Sequence, residues 1–420
     1  MENLFSLTKP SSQMASLAYN DNQEYLEDEL QWLNGCLALQ FAVINADEKN
    51  KTRVHREHAE VLDEWRRHIR SRANLSMEQG VFLALPYLAG IFRLSELEIG
   101  AMVVCLGMEL DRKYEAAYEY LQADKGLRLP TPDFIARLIG RTDDERRETH
   151  DLFQPGRPVP RFFLRNDLNA GRQLGSYLGQ PVQLDARMVR FLTGNPFLDL
   201  PMAEFCELHA GDEEPPRLLG NEAVQARFRT WLENRLNLNL SEQVSFLVSL
   251  YGKPGIGKRT HLIHAAKHLG EFLLFVDCGK LIRKGNNLSE WLTPLFREAA
   301  IHRSMLVLCN FREALEEADL LHRLPDLLDE IAQLNYIVFL LSGKPCLPFD
   351  RNRRIMLELE LPDLIDRERT EAWRKAAARY ETDPSVDWES LSTRFPFTPG
   401  QIVKALGMAE ELARWESPDS

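Results

Sequence analysis

The chain has 420 residues, of which 44% are hydrophobic and 27% charged, and its net charge at pH 7 is −12. This length and composition predict about three soluble domains. The acidity counts against general binding of nucleic acid, which depends on basic side chains that displace counterions from phosphates. No apolar run reaches the ~18 residues of a membrane span, and no secretory signal is visible, so we expect a cytoplasmic protein.

Neither the cysteines nor the histidines show the spacing of a metal site. The six cysteines include no CxxC pair, which favours reduced and buried thiols over disulfides or a zinc site. Three histidines, His261, His264 and His268, would share one helix face, but no carboxylate or cysteine completes a set of metal ligands.

Residues 1–75 are predicted to form a polar tail and two helices, at 22–47 and about 50–72. The pattern of residues 76–215 predicts a compact, mostly helical domain. Within it, Ser95 and Glu98 form a capping-box pattern, which predicts the start of a helix. The segments 161–164 and 182–184 could be short strands, and helices with a small strand pair are typical of a winged helix.

Residues 211–216 combine turn-forming and charged residues, so we place the main domain boundary there. Residues 216–362 then alternate between apolar strands and helices, the pattern of a parallel sheet covered on both faces. The expected strands cover residues 246–250, 272–276, 305–308, 337–341 and 355–361. A helix over 314–334 should break near Pro325, and residues 363–420 should form a small helical domain.

A glycine-rich segment follows the first of these strands and precedes a helix. It reads Gly252-Lys253-Pro254-Gly255-Ile256-Gly257-Lys258. In this context Gly-x-x-x-x-Gly-Lys predicts a P-loop (Walker A motif), whose backbone N–H groups converge on phosphates at the start of a helix. Lys258 would reach the terminal phosphates. The alternative is an ordinary glycine turn between a strand and a helix.

Two features depart from a hydrolytic P-loop. Arg259 stands where a Ser or Thr usually binds Mg²⁺, and Thr260, one residue later, is the candidate metal ligand. On the strand at 304–311, Cys309 and Asn310 stand where carboxylates that support the metal and polarise water are expected. Glu313 is near in sequence but lies past the strand end. We therefore expect nucleotide binding without efficient turnover.

These features resemble AAA+ ATPases, in particular the winged-helix AAA+ proteins encoded with extracellular, phage-tail-like contractile injection systems. The resemblance extends from about Tyr25 to the C-terminus. Besides the P-loop, its marks are residues 25–33, 92–95, 105–111, 184–187, 189–194 and 397–402. It implies an α/β P-loop NTPase (AAA+) domain with a helical lid, preceded by a mostly helical, winged-helix-like region.

The resemblance also implies a cytoplasmic ATPase that binds ATP or ADP, with Mg²⁺ as a candidate cofactor, and helps to assemble or load an injection particle. A homo-oligomeric ring in contact with injection-system components is the expected assembly. Gly220, between Leu219 and Asn221, would lie beside the adenine, and Ser342 would be a polar sensor near the γ-phosphate. Only Lys404 stands where the lid usually supplies an arginine.

Three arginines, Arg351, Arg353 and Arg354, could act on a neighbouring subunit's nucleotide or belong to a solvated loop. Three functions remain open at this stage. The chain could be a nucleotide-binding assembly factor with weak or degenerate ATPase activity, or an active remodelling ATPase. The third is a nucleotide-switched winged-helix regulator that binds DNA, against which the acidic balance counts.

Overall fold

The computed structural model describes residues 5, 17–165, 176–211, 214–242, 246–285, 287–332, 337–346 and 356–416. The chain divides into two units, Met1–Phe197 and Leu198–Ser420. The division precedes the segment 211–216 favoured by composition, because a strand at Cys206–His209 already belongs to the sheet of the second unit. Within the described ranges, no helix has the length and apolar character needed to cross a membrane.

The described part of the first unit is mostly helical. Its helices are α1 (Asn22–Asn45), α2 (Glu48–Glu78), α3 (Ala84–Phe92), α4 (Glu96–Leu110), α5 (Lys113–Gln122), α6 (Pro132–Ile139), α7 (Asp143–Asp151) and α8 (Ala186–Leu192). The two long helices α1 and α2 confirm the pair predicted from periodicity. The capping box is also confirmed: Ser95 Oγ accepts a hydrogen bond from the Glu98 N–H at 3.2 Å, and Glu98 Oε2 accepts one from the Ser95 N–H at 2.8 Å.

Where the first unit is described, the predicted strand pair at 161–164 and 182–184 corresponds to one antiparallel bridge, between Leu164 and Leu184. The strand predicted at 161–164 is wrong for its first three residues, because Val159–Phe163 forms a π-helical turn. Pro158 and Pro160 account for the difference. Their fixed φ suits the start of a helical turn, and they lack the N–H that a strand ladder needs.

A buried ion pair joins α1 to α2. Glu29 is 2% exposed, and its carboxylate accepts hydrogen bonds from the Tyr25 hydroxyl at 2.6 Å and from Arg66 Nη1 at 2.7 Å. The Arg66 guanidinium also stacks 3.4 Å from the centre of the Trp32 ring. Removing one partner from such a pair costs more than removing both, because the remaining charge is left buried alone.

Replacing Arg66 by Ala should lower the free energy of unfolding by about 3 kcal/mol, since Glu29 would be buried without a counter-charge. Urea denaturation of the full chain measures the change. The double variant Arg66→Met/Glu29→Leu removes both charges and should recover most of the loss. An equal loss in the single and double variants would contradict this account of the pair.

The second unit is built on a six-stranded sheet. Its strands are β1 (Cys206–His209), β2 (Phe246–Tyr251), β3 (Phe272–Asp277), β4 (Ser304–Cys309), β5 (Ile337–Ser342) and β6 (Met356–Glu360). They lie in the order β1-β3-β4-β5-β2-β6. Strands β2 to β6 are parallel as predicted, whereas the unpredicted edge strand β1 runs antiparallel to β3.

Helices of this unit surround the sheet. They are α9 (Leu200–Ala203), α10 (Glu222–Glu242), α11 (Lys258–Leu269), α12 (Cys278–Arg283), α13 (Leu288–Ile301), α14 (Phe311–Glu317) and α15 (Leu324–Ala332). Two hydrophobic cores pack against the sheet, and successive strand residues such as Leu306 and Val307 belong to different ones. Because successive side chains of a strand point to opposite faces, both faces of the sheet are buried. The helix predicted over 314–334 breaks before Pro325, which lies in the first turn of α15, where its missing N–H removes no helical bond.

The C-terminal helices α16 (Asp366–Ala377), α17 (Trp388–Arg394) and α18 (Pro399–Glu416) confirm the helical pattern predicted there. We call these three helices the lid. They enclose a core of their own around Trp373 and Ile402. Leu219, from the segment before β2, belongs to the same core and so ties that segment to the lid.

Candidate functional site

A cavity of about 790 Å³ lies at the carboxyl ends of the parallel strands. Its wall includes Lys258, which follows β2 after the glycine-rich loop, Asp277 at the end of β3 and Cys309 at the end of β4. The neighbouring strands β2 and β5 are followed by connections that run in opposite directions. The chain goes from β2 to β3, on the β1 side of the sheet, and from β5 to β6, at the other edge. Ligands of open α/β sheets bind at such switch points, and this volume suits a small organic molecule.

Glycine shapes the loop between β2 and α11. Gly252, Gly255 and Gly257 have φ values of +149°, +80° and +104°, which side chains strongly disfavour. An ideal Cβ on Gly252 would lie 2.6 Å from the carbonyl oxygen of Leu361, so a side chain would also collide with backbone. The loop then enters α11, whose first residue is Lys258 and whose N-cap is Gly257.

The structure brings most of the predicted nucleotide-binding residues together. The cavity wall contains every residue from Pro254 to Thr260, and also Gly220. Lys253 is exposed and forms an ion pair with Asp363 instead. Gly252, the first residue of the loop, is buried and does not line the cavity, and its φ of +149° shapes the backbone. The start of α11 therefore contributes N–H donors and the positive end of the helix dipole to one side of the cavity.

The Lys258 ammonium group folds back onto the loop. Its Nζ donates hydrogen bonds to the Gly252 carbonyl at 2.6 Å and to the Lys253 carbonyl at 3.2 Å. Burial lowers the pKa of Lys258, and the nearby Glu313 carboxylate opposes this shift. An anionic ligand would offer the ammonium group a stronger, charge-assisted acceptor than these carbonyls.

The side chain of Arg259 turns toward the edge of the sheet. Its Nη2 lies 2.5 Å from Glu207 Oε1 on β1, and its guanidinium lies 4.0 Å from the centre of the Phe275 ring. Thr260 is half-buried in the same wall. Glu207 was not predicted as part of the site because β1 itself was not predicted.

The end of β4 presents no carboxylate to the cavity. Burial raises the pKa of the Cys309 thiol to about 12, so the thiol is uncharged at neutral pH. Asn310 follows with a φ of +53° and is the N-cap of α14. Both residues line the cavity, as the sequence predicted for the positions at the end of this strand.

Glu313 lies closer to the loop than its sequence position indicated. It occupies the first turn of α14, where Oε1 accepts a hydrogen bond from the Gly343 N–H, and Oε2 is buried with no hydrogen-bond partner among the described residues. An ideal Cβ on Gly343 would lie 2.7 Å from Glu313 Oε1. Glu313 does not line the cavity but acts electrostatically on Lys258.

Other predicted residues lie elsewhere. Ser342 ends β5, but its buried hydroxyl donates a hydrogen bond to the Lys344 carbonyl at 2.7 Å and lies 3.0 Å from Cys346 Sγ, outside the cavity wall. Lys404 is exposed on α18 and is also outside the wall. The remaining candidates, Arg351, Arg353 and Arg354, fall outside the described residues.

The lid contacts the glycine loop directly. The Gly400 N–H donates to the Gly255 carbonyl at 2.8 Å, and Thr398 Oγ1 donates to the Pro254 carbonyl at 3.2 Å. Gly400 and Val403 also line the cavity. An ideal Cβ on Gly400 would lie only 3.0 Å from Gly255 Cα, so glycine permits this approach.

We predict that Gly400→Ala lowers the free energy of unfolding by about 1–2 kcal/mol, because the added methyl group pushes α18 away from the loop. The matched control is Gly407→Ala in the same helix, where the nearest atom to an ideal Cβ is the Tyr380 hydroxyl at 3.9 Å. That change should raise stability by about 0.5–1 kcal/mol through helix propensity. Urea denaturation compares the two, and stabilisation by both changes would rule out tight docking.

His261 is buried in α11 behind the loop, and its Nδ1 lies 2.6 Å from Gln225 Oε1. Burial, with a smaller effect of His264, lowers the pKa of His261 to about 4. His261 and His264 face different hydrogen-bond partners. His264 contacts the Pro216 carbonyl at 2.7 Å, and the described residues contain no group of three or more His, Cys, Asp or Glu that could hold a metal ion.

The lowered pKa of His261 predicts a pH-dependent stability. Between pH ~6.5 and pH ~4 the unfolded chain binds a proton at this histidine and the folded chain does not, so stability falls as pH drops through this window. The loss is at most about 3 kcal/mol. His261→Gln should reduce the slope of unfolding free energy against pH there by up to about one proton. An unchanged slope would show that His261 protonates normally in the fold.

Comparison with known proteins bears on the N-terminal part of the chain. Residues 8–206 match the family model described as "Winged helix domain, variant". This confirms a winged-helix domain in the helical N-terminal region, and the match extends further toward the N-terminus than the predicted range 76–215. No curated protein matches the chain. The cavity lies almost wholly outside the matched range, so its chemistry must be argued from its own geometry.

Proposed function

We propose that the second unit is an AAA+ P-loop domain that binds ATP or ADP in the cavity between its sheet and its lid. The observation that carries this proposal is the glycine-shaped loop, which follows β2 and opens α11 at the switch point of the sheet. A loop of this shape collects backbone N–H groups around an anion, and the helix N-terminus and Lys258 add positive charge.

Apolar residues of the cavity wall suit the base of a nucleotide. Leu218, Leu219 and Gly220 line the cavity, and Val403 of the lid adds apolar surface. A nucleotide held there would contact the loop and the lid at once. Because the Gly400–Gly255 hydrogen bond already joins these two parts, a ligand that favours one lid position would shift the population toward it.

The residues at the strand ends favour weak turnover. Cys309 and Asn310 cannot supply the carboxylates that support a metal and polarise water in hydrolytic P-loop enzymes. Glu313 is near Lys258 but engages the Gly343 N–H and does not line the cavity. We therefore favour a nucleotide-binding protein with degenerate ATPase activity over an active remodelling ATPase.

The proposed process is assembly or loading of a contractile injection particle by a ring of this chain. This part rests on the sequence resemblance alone. Genes for sheath, tube and baseplate proteins should lie beside the coding sequence if the proposal is right, and a neighbourhood without them would count against it.

The winged-helix match also revives DNA binding as a second candidate. The basic segment at residues 66–72 of α2 would have to supply the positive charge that binds DNA phosphates. Three arginines of this segment already pair with acids. The pairs are Arg66 with Glu29, Arg70 with Glu96, and Arg72 with both Glu24 and Asp28. Charges that are neutralised within the fold release few counterions from DNA, so we rank this function second.

Replacing Lys258 by Ala should weaken ADP and ATP binding by about 10- to 100-fold, because one charge-assisted contact to phosphate is lost. Isothermal titration calorimetry measures the affinity. Lys267→Ala, at the exposed end of the same helix, is the matched control and should bind like the wild type. Equal affinity in the wild type and Lys258→Ala would contradict a phosphate site at the loop.

Phosphate release under the same conditions separates the two ATPase alternatives. The wild type should release phosphate slowly, since the strand-end carboxylates are replaced. Fast release that Lys258→Ala abolishes would establish an active ATPase instead.

A further inference from the structure

Arg259 raises a question about the metal that usually accompanies a P-loop nucleotide. At its position a hydroxyl would bind Mg²⁺ beside the phosphates. The guanidinium cannot ligate a cation, and its positive charge repels one. The ion pair with Glu207 and the contact with the Phe275 ring hold this charge in the cavity wall.

The other donors nearby do not form a magnesium site either. Mg²⁺ prefers carboxylate and other hard oxygen ligands in octahedral geometry, and a neutral thiol such as Cys309 is a poor ligand for it. Glu313 lies outside the wall. Asp277 Oδ1 caps α12 by accepting from the Lys280 N–H at 3.0 Å. Thr260 is one residue further along α11, about 100° around the helix from the usual position.

The cavity instead carries cations of its own. Lys258, Arg259, Lys280 and Arg217 all contribute to its wall. The lining acids are Glu204, Glu207 and Asp277, of which Glu207 pairs with Arg259 and Glu204 pairs with Lys284. A guanidinium group matches the geometry of phosphate oxygens and can bind two of them at once. These side chains can therefore offset part of the negative charge of a nucleotide diphosphate or triphosphate, with Arg259 exchanging Glu207 for a phosphate oxygen.

We propose that this cavity binds its nucleotide without a divalent cation, with Arg259 supplying the positive charge that Mg²⁺ supplies at other P-loops. This inference rests on the proposed nucleotide site. It assigns Arg259 as a phosphate-binding residue and Glu207 as the residue that positions its guanidinium group. It also predicts that chelators leave nucleotide affinity intact.

The test is a calorimetric titration of the full chain with ADP and with ATP, once in excess EDTA and once in millimolar Mg²⁺. The wild-type dissociation constants should agree within about threefold between the two conditions. Arg259→Thr restores a hydroxyl and removes the charge. Its affinity in EDTA should fall about tenfold or more, and Mg²⁺ should recover part of the loss.

Two controls keep the outcomes distinct. Arg283→Thr removes an exposed arginine that pairs with Glu317 on the surface, and it should change neither titration. Urea denaturation checks that Arg259→Thr is folded. If this variant does not fold, the comparison of wild-type affinity in EDTA and in Mg²⁺ still tests the inference. Wild-type binding that appears only with Mg²⁺ would overturn the inference while leaving the nucleotide site in place. No binding under either condition would instead refute the proposed function.

Discussion

The site depends on one backbone constraint, the left-handed conformation of Gly252, Gly255 and Gly257. These conformations turn the chain sharply from the end of β2 into α11, and the three glycines add no side chain of their own beside the loop backbone. Lys258 then begins the helix, and its ammonium group is held by loop carbonyls until an anion competes for it. A side chain at Gly252 would both strain the backbone and strike Leu361.

The same loop connects the cavity to the lid. The contacts from Thr398 and Gly400 end on the carbonyls of Pro254 and Gly255, so the loop borders both the lid and the cavity. Under the proposed function, a nucleotide that contacts the loop and the lid would link occupancy of the cavity to the position of the lid. A protein that turns over nucleotide slowly could use this link to hold one conformation for as long as the nucleotide stays bound.

Sequence patterns predicted most of this architecture because the information is local. The central strands are continuous apolar runs, as burial on both faces requires, and the loop residues are consecutive. Strand β1 was missed because Glu207 and His209 interrupt its apolar pattern at the edge of the sheet. The ion pair of Arg259 with Glu207 and the burial of Ser342 could not be predicted from the sequence, because both depend on tertiary packing and side-chain direction.

The central claim is that the backbone amides ahead of Lys258 hold a phosphate group. Hydrogen exchange of the full chain, followed by mass spectrometry with and without ADP, tests it most directly. We expect peptides that cover residues 254–260 and 398–403 to exchange more slowly when ADP is present, because ligand contacts block both the loop and the lid. Unchanged exchange of both segments at saturating ADP would contradict the account.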